Sequence, residues 1–150
     1  GQRRVDRILF AATKADHLHH SQHDRLAAIM AALVTEARRR ADFAGARTQA
    51  MAIAALRATV EESRRVDGQP RDLVRGRLLE GGAQVALHPG DLPEDPAALL
   101  APARAGAKAW LDGDYGVMRF APAPLSLKPG DGPPHIRLDR AAEFVLGDKL

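Results

Sequence analysis

An uninterrupted apolar run leads directly into the polar sequence Thr13-Lys14-Ala15-Asp16. The run, Ile8-Leu9-Phe10-Ala11-Ala12, lacks the apolar–polar alternation of a strand with one face in water. It therefore predicts a strand over residues 5–12 that is covered on both faces, as in the middle of a parallel sheet. Because such a strand needs a neighbour on each edge, the chain is expected to have an α/β fold.

A strand–helix–strand unit is predicted for the first third of the chain. Ser21 and Asp24 have the spacing of a capping box, which predicts a helix that begins at Ser21 and runs to about Arg40. A second apolar run at residues 50–56 predicts another strand, so the three elements form a βαβ unit with a right-handed crossover. The apolar stripe of the helix has a spacing of three and four residues and consists of Leu26, Ile29, Met30, Leu33, Val34 and Ala37.

The second half of the chain is more polar and richer in turns. Residues 73–79 and 84–88 flank Glu80-Gly81-Gly82-Ala83, which predicts a β-hairpin. The other predicted elements are short: a helix near 96–100, a loop at 110–116, a strand at 117–121, a Pro- and Gly-rich arm at 122–134, and a last helix at 140–146. Asp139 is the predicted N-cap of that last helix and Gly147 its C′ residue.

Composition excludes several classes of protein. A chain of 150 residues, 45% of them hydrophobic, is long enough for one domain with a real core. It contains no cysteine, which excludes disulfides and Cys-ligated metals and suits a cytoplasmic location. The formal net charge of +3 suits an anionic ligand, but no basic helix carries stacking aromatics, so no nucleic-acid partner is expected. No apolar run approaches the roughly 18 residues of a membrane span.

Two polar loops are expected to meet at one edge of the sheet. Residues 13–17 follow the first predicted strand, and residues 55–59 lie at the end of the second. Ligands of open α/β sheets bind at the carboxyl ends of the strands. This placement makes the edge the candidate binding site.

The first loop has the chemistry of a guanine-selecting loop. The Asp16 carboxylate can accept hydrogen bonds from both N1–H and the exocyclic amine of guanine, and such charge-assisted bonds contribute about 1.5–3 kcal/mol each. The methylene stem of Lys14 can cover the base and ribose, and the Thr13 hydroxyl can hold the loop to its neighbours. His17 can lie over the base or ribose. From the residues alone, an ordinary strand-to-helix turn is an equal alternative.

Two other readings use different residues. His17, His19, His20 and His23 lie within seven positions, and the i, i+4 spacing of His19 and His23 suits zinc on a helix. The predicted cap at Ser21 puts His19 before the helix, and no Cys or second motif completes the set, so no metal ligand is assigned.

Alternatively, the chain is a non-catalytic interaction module. Its Gly- and Pro-rich second half and its 110–115 aromatic loop would then dock on a partner, although nothing in the sequence supports a membrane surface.

Three stretches resemble the YcjX-type family of stress-associated P-loop GTPases. They are Arg7-Ile-Leu-Phe-Ala-Ala-Thr-Lys-Ala-Asp-His-Leu18 with Gln22-His-Asp-Arg-Leu26 after it, Ala52-Ile-Ala-Ala-Leu-Arg-Ala-Thr59, and the closing Pro134-His-Ile-Arg-Leu-Asp-Arg-Ala-Ala-Glu-Phe-Val-Leu-Gly-Asp-Lys-Leu150. The resemblance implies the C-terminal part of a Ras-like P-loop GTPase that binds GTP or GDP. It assigns base recognition to Thr13, Lys14, Asp16 and His17. Ala55 and Leu56 belong to the second base-contacting loop, where backbone N–H groups meet the guanine carbonyl.

The same resemblance implies a division of the chain. Residues 1–60 and 135–150 would belong to the GTPase domain, and residues 61–134 would be a family-specific insertion. However, the 150 residues contain neither G-x-x-x-x-G-K-[ST] nor an Asp-x-x-Gly metal loop. Mg²⁺ and the phosphates are therefore expected to be held by a missing N-terminal part of the domain. This chain is predicted to be inactive on its own and to have no catalytic residue.

Overall fold

The computed structural model describes residues 5–104, 106, 115–116, 118–125, 128 and 132–147. It is a mixed α/β structure with a parallel sheet of two strands and an antiparallel sheet of three. The strands are β1 (Arg7–Ala12), β2 (Arg47–Ala52), β3 (Thr59–Val66), β4 (Gln69–Arg77) and β5 (Gln84–Leu87). The α-helices are α1 (His23–Leu33), α2 (Thr35–Phe43), α3 (Ala97–Arg104) and α4 (Leu138–Leu146).

The predicted parallel pairing of the first two strands is confirmed. β1 and β2 run in register from Arg7 opposite Arg47 to Ala12 opposite Ala52, with α1 and α2 between them along the chain. The predicted bounds of the second strand, 50–56, were wrong at both ends. β2 ends at Ala52 because Ala54 leaves the parallel pair and forms an antiparallel bridge with Ile136.

The long helix predicted from Ser21 to Arg40 is interrupted. Val34 has φ −101° and ψ 18°, which separates α1 from α2. The Thr35 hydroxyl donates to the carbonyls of Ala31 and Ala32, at 3.2 and 2.9 Å. A hydroxyl that bonds the preceding turn competes with the helical ladder and often bends a helix, which accounts for the break here.

The capping box predicted at Ser21 was wrong. Ser21 lies inside a short 3-10 helix, His20–Gln22, and the cap position of α1 is Gln22, which makes no side-chain capping bond. The Ser21 hydroxyl donates instead to the carboxylate of Asp72, 3.1 Å away on β4. The Ser21 hydroxyl, which the capping-box spacing assigns to the helix, thus bonds Asp72, a residue distant in sequence.

The antiparallel sheet contains the predicted hairpin and one more strand. β4 and β5 pair from Val74 opposite Leu87 to Arg77 opposite Gln84, which confirms the hairpin. The additional strand, β3, pairs with β4 around a turn at Asp67 and Gly68, whose φ angles are 51° and 76°. An Asp-Gly pair in left-handed conformation is typical of a tight hairpin turn, so the missed signal was present in the sequence.

The short helix and the final helix are confirmed in position, with corrections. α3 runs longer than predicted, from Ala97 to Arg104, and the Asp95 carboxylate accepts from the Ala97 N–H at its start. α4 begins after Arg137, which has φ 52°, so Asp139 lies in the first turn and is not the cap. Gly147 has φ −59°, so the left-handed C′ conformation that a terminal glycine usually provides is absent there.

The structure describes only part of the region around residue 120. Residues 107–114, Val117 and all of 126–131 except Lys128 lie outside the described residues, so the predicted loop at 110–116 with Trp110 is described only at 115–116. In place of the strand predicted at 117–121, Phe120 forms a single antiparallel bridge with Leu78. Residues 121–125 have no regular secondary structure, which agrees with the predicted arm. Among the described residues, no helix is long and apolar enough to cross a membrane.

Candidate functional site

The sequence Thr13-Lys14-Ala15-Asp16 forms the turn that leaves β1. Thr13 and Lys14 are exposed, and Lys14 has φ 59° and ψ 36° before a 3-10 turn at Ala15–His17. The left-handed conformation costs a non-glycine residue about 1–2 kcal/mol. Strained backbone conformations of this kind persist only where the surrounding structure holds them in place, and they cluster at ligand-binding sites.

Hydrogen bonds join this turn to the segment that follows β2. The Ala15 N–H donates to the Ile53 carbonyl at 3.0 Å, and the Ala58 N–H donates to the Asp16 carboxylate at 2.7 Å. The Thr59 hydroxyl donates to the backbone carbonyl of Asp16. The two loops that the sequence places at the carboxyl ends of their strands are therefore in direct contact.

Asp16 is the central side chain of this contact. It is only 3% exposed, and its Oδ2 accepts from Ala58. A carboxylate has about four lone-pair positions, so one backbone donor leaves capacity for further donors. The arrangement fixes the orientation of a buried carboxylate that has lone pairs left for further donors.

Ala55 and Leu56 lie in the bend beyond the bridge between Ala54 and Ile136. Ala55 is exposed and Leu56 is half-buried. Their segment also contains Ala58, the donor to Asp16. The structure therefore brings the predicted residues of both loops to one edge of the parallel sheet, with Thr13, Lys14 and Ala55 open to solvent.

His17 packs against an aromatic ring that sequence reasoning did not assign to the site. Its ring meets Phe120 edge-to-face, with centroids 5.4 Å apart and planes at 71°. Burial lowers the pKa of His17 below 6.5; the Asp16 charge opposes this effect and the Lys14 charge adds to it. His17 thus forms a half-buried wall beside Asp16, and no local pattern in the sequence indicates Phe120 as its neighbour.

His23 stabilises the turn at Ala15–His17 by a side-chain hydrogen bond. It is 2% exposed, and Arg137 donates to its Nδ1 at 3.0 Å. Because arginine can only donate, Nδ1 is the acceptor, and Nε2–H therefore donates to the Ala15 carbonyl at 2.8 Å. Arg137 also donates to the Ala52 carbonyl at 3.3 Å, at the end of β2.

The charge state of His23 follows from these contacts. Burial lowers its pKa below 6.5, while hydrogen bonds to the Ala15 and Leu18 carbonyls raise it to a smaller extent, and the Arg137 charge lowers it further. The ring is therefore neutral at pH 7. It links α4, through Arg137, to the backbone of Ala15, next to Asp16.

A cavity of about 600 Å³ adjoins the second loop. Arg57 and Ala58 line one side, and Arg75 and Arg77 from β4 line another. Its lining does not include Thr13, Lys14, Asp16 or His17. Any ligand that is read by Asp16 would therefore contact the exposed surface of the first loop rather than fill this cavity.

Comparison with known proteins gives one consistent result. The whole chain, residues 1–150, matches the family described as YcjX-like, DUF463. It is 34% identical over 148 residues to the Ras-like GTPase YcjX of Escherichia coli (strain K12) and 30% identical over 149 residues to the Ras-like GTPase YcjX of Shewanella oneidensis (strain MR-1). These matches cover 97% and 98% of this chain but only 29% of each relative.

Proposed function

Since the chain belongs to the YcjX-like family, we propose that it is the base-binding part of a GTPase domain that binds GTP and GDP. The observation that carries the proposal is the bond from the Ala58 N–H to the Asp16 carboxylate. It joins the two loops at the strand ends, where ligands of α/β sheets bind.

Asp16 would select the base. Guanine presents N1–H and an exocyclic amine on one edge, and a carboxylate in the plane of the base accepts from both. The Ala58 N–H holds the carboxylate in one orientation. Binding of the base would therefore cost little further loss of conformational freedom in the Asp16 side chain. A site built to pair such donors rejects a ligand that lacks them by several orders of magnitude.

The remaining predicted residues would surround the same base. The exposed Lys14 would lay its methylene stem over the base and ribose and keep its ammonium in water. Thr13 would stay at the entry to the loop, and His17, held against Phe120, would form a wall of the site. Backbone N–H groups near Ala55 and Leu56 would meet the guanine carbonyl.

Residues beyond this chain would carry the hydrolysis. Phosphoryl transfer needs a cradle for the β- and γ-phosphates, Mg²⁺ and a positioned water. The 150 residues contain no phosphate-loop motif, and the chain spans 29% of its relatives. We therefore assign Mg²⁺ binding and GTP hydrolysis to the rest of the protein, in the cytoplasm, and expect no turnover from this chain.

The division of the chain at residues 60 and 134 is part of the proposal. Two contacts support it: the bridge from Ile136 to Ala54, and the bond from the Arg7 guanidinium to the Phe144 carbonyl at 2.6 Å. Both return α4 to the parallel sheet. β3, β4 and β5 form a separate sheet, as expected of an insertion, although β3 begins at Thr59, two residues before the insertion as proposed.

The test is a change of base preference in the full-length protein. Asp16→Asn replaces one acceptor oxygen with an N–H₂ donor, so it should lose affinity for GDP and gain affinity for xanthosine diphosphate, which has a carbonyl in place of the amine. Asp139→Asn, on the exposed first turn of α4, is the matched control and should leave both affinities unchanged. If Asp16→Asn retains the wild-type preference for guanine, Asp16 does not read the base.

A further inference from the structure

His19, His20 and Glu61 form a cluster beside the proposed base loop. One donor atom from each lies within 4.8 Å of the other two. We propose that these three residues bind a divalent transition-metal ion, with Zn²⁺ as the occupant. The site is separate from the nucleotide chemistry and does not depend on the proposed function.

The fold supplies the ligand that is missing from the sequence pattern. The histidines follow the 3-10 turn at Ala15–His17, and Glu61 lies on β3, 41 residues after His20. The Glu61 Oε2 is 2.6 Å from His20 Nδ1 and 3.9 Å from His19 Nε2. Two imidazoles and one carboxylate are a donor set that zinc prefers, with water in the fourth position.

His19 is oriented as a metal ligand by the groups behind it. Its ring is buried, and its Nδ1 faces the Ser21 hydroxyl at 2.9 Å and the Asp72 carboxylate at 3.3 Å. Asp72 is itself held by the Ser63 hydroxyl at 2.7 Å. The backbone N–H of Ser21 also donates to this Nδ1, at 3.3 Å. Zinc binding through Nε2 would therefore place the proton on Nδ1, which would then donate to the Ser21 hydroxyl or to Asp72 in place of accepting from the Ser21 N–H. Metal-bound histidines generally donate their second ring N–H to a carboxylate in this way.

Small movements of His20 and Glu61 complete the geometry. Zinc–nitrogen and zinc–oxygen bonds of about 2.0–2.1 Å place tetrahedral ligands roughly 3.3 Å apart. The His20–Glu61 pair must therefore open by about 0.7 Å from the observed 2.6 Å, and the His19–Glu61 pair must close by about 0.6 Å from 3.9 Å. The His20 side chain is 68% exposed, so its rotation meets little resistance.

One neighbouring charge sets the mode of binding. The Arg57 guanidinium lies 3.7 Å from Oε1 of Glu61, the oxygen that does not face the histidines. Glu61 would therefore bind the metal through Oε2 only. The bound ion would connect the segment after Asp16 to the β3–β4 hairpin, and so connect the parallel sheet to the antiparallel one.

The experiment is a titration with zinc chloride in phosphate-free buffer, followed by calorimetry and by thermal unfolding of the same chain. We expect one bound Zn²⁺ per chain and a higher melting temperature with zinc. Mg²⁺ should produce neither effect, because a site with two imidazoles suits it poorly. Co²⁺ in the site should give the visible absorption of a four-coordinate complex.

Variants separate this site from adventitious binding by surface histidines. His20→Ala and Glu61→Gln should each lower the zinc affinity at least tenfold, and Asp72→Asn should lower it about tenfold through His19. His135→Ala is the control, because His135 lies near α4 and outside the cluster. Equal zinc binding by the wild type, His20→Ala and Glu61→Gln would overturn the proposal, as would the absence of saturable binding by the wild type.

Discussion

The backbone N–H of Ala58 lies 2.7 Å from the carboxylate of Asp16, 42 residues earlier in the chain. This bond ties the loop after β1 to the loop after β2 and orients a buried acid at the edge of the sheet where both strands end. Asp16 therefore has two roles: it holds the site together, and in the proposed function it reads the base. Substitutions can separate the two.

The structural role of Asp16 predicts a difference between two substitutions. Asp16→Ala leaves the Ala58 N–H without its acceptor, which should lower the free energy of unfolding by about 1–3 kcal/mol. Asp16→Asn keeps an oxygen that can accept from Ala58, so it should lower the free energy of unfolding by clearly less. Urea denaturation of both variants measures the difference. Equal losses would mean that the acceptor oxygen is not what stabilises the loop.

The neutral charge of His23 predicts a loss of stability in acid. Its pKa is lowered below 6.5 in the folded chain, so at mildly acidic pH the unfolded chain binds more protons than the folded one. The stabilisation is complete above pH 6.5 and should decline as the pH falls below that value. His17, whose pKa is also lowered, should add to the effect.

This pH dependence can be measured by urea denaturation at pH 7.5, 6.5 and 5.5. His23→Gln removes the titrating group and should flatten the curve between pH 6.5 and 5.5, although it should also lower the overall stability. His135→Gln leaves His23 and His17 in place, so the stability of this variant should depend on pH as steeply as that of the wild type. A slope that His23→Gln leaves unchanged would contradict the assignment.

Arg137 and His23 should be energetically coupled. Arg137→Ala removes the donor to His23 Nδ1 and to the Ala52 carbonyl and should cost about 1–3 kcal/mol. In a double-mutant cycle with His23→Ala, the two losses should be less than additive by about 0.5 kcal/mol or more, because the residues share a contact. Additive losses would show that the hydrogen bond contributes nothing measurable. Arg140→Ala, one turn along α4, is the matched control.

The sequence predicts those parts of the fold whose signals are local. The apolar run before Thr13 predicts β1, and a second apolar run predicts β2 and its parallel pairing. Gly81-Gly82 predicts the hairpin between β4 and β5. These features depend on neighbours within a few residues, so periodicity and turn chemistry are sufficient to identify them.

The groups that complete the site depend on contacts between distant residues. Arg137 is 114 positions from His23, and Glu61 is 41 positions from His20. Local rules failed where such partners compete: Ser21 bonds to Asp72 on β4 instead of capping α1. No spacing in the sequence predicts these contacts, because they depend on how elements far apart in the chain pack together.

Gly76 provides a test of how closely β4 approaches Phe120 and the segment that leads into β3, where Gly76 pairs with Thr59. A Cβ at this position would lie 2.6 Å from the Phe120 ring and 2.9 Å from the Ala58 carbonyl oxygen. Phe120 packs against His17, and the Ala58 N–H donates to Asp16. Neither residue can therefore move away from Gly76 without disturbing the loop at residues 13–17. Gly76→Ala should therefore lower the free energy of unfolding by about 1–3 kcal/mol, the usual cost of overpacking.

The same substitution should also weaken guanine-nucleotide binding by the full-length protein, because it displaces Ala58 and with it the carboxylate of Asp16. Gly132→Ala is the matched control, since a Cβ there meets nothing within 4 Å. Urea denaturation and a GDP titration of both variants give the comparison. If Gly76→Ala lowers stability and leaves GDP affinity intact, the close packing around Gly76 supports the fold without setting the geometry of the loop that contains Asp16.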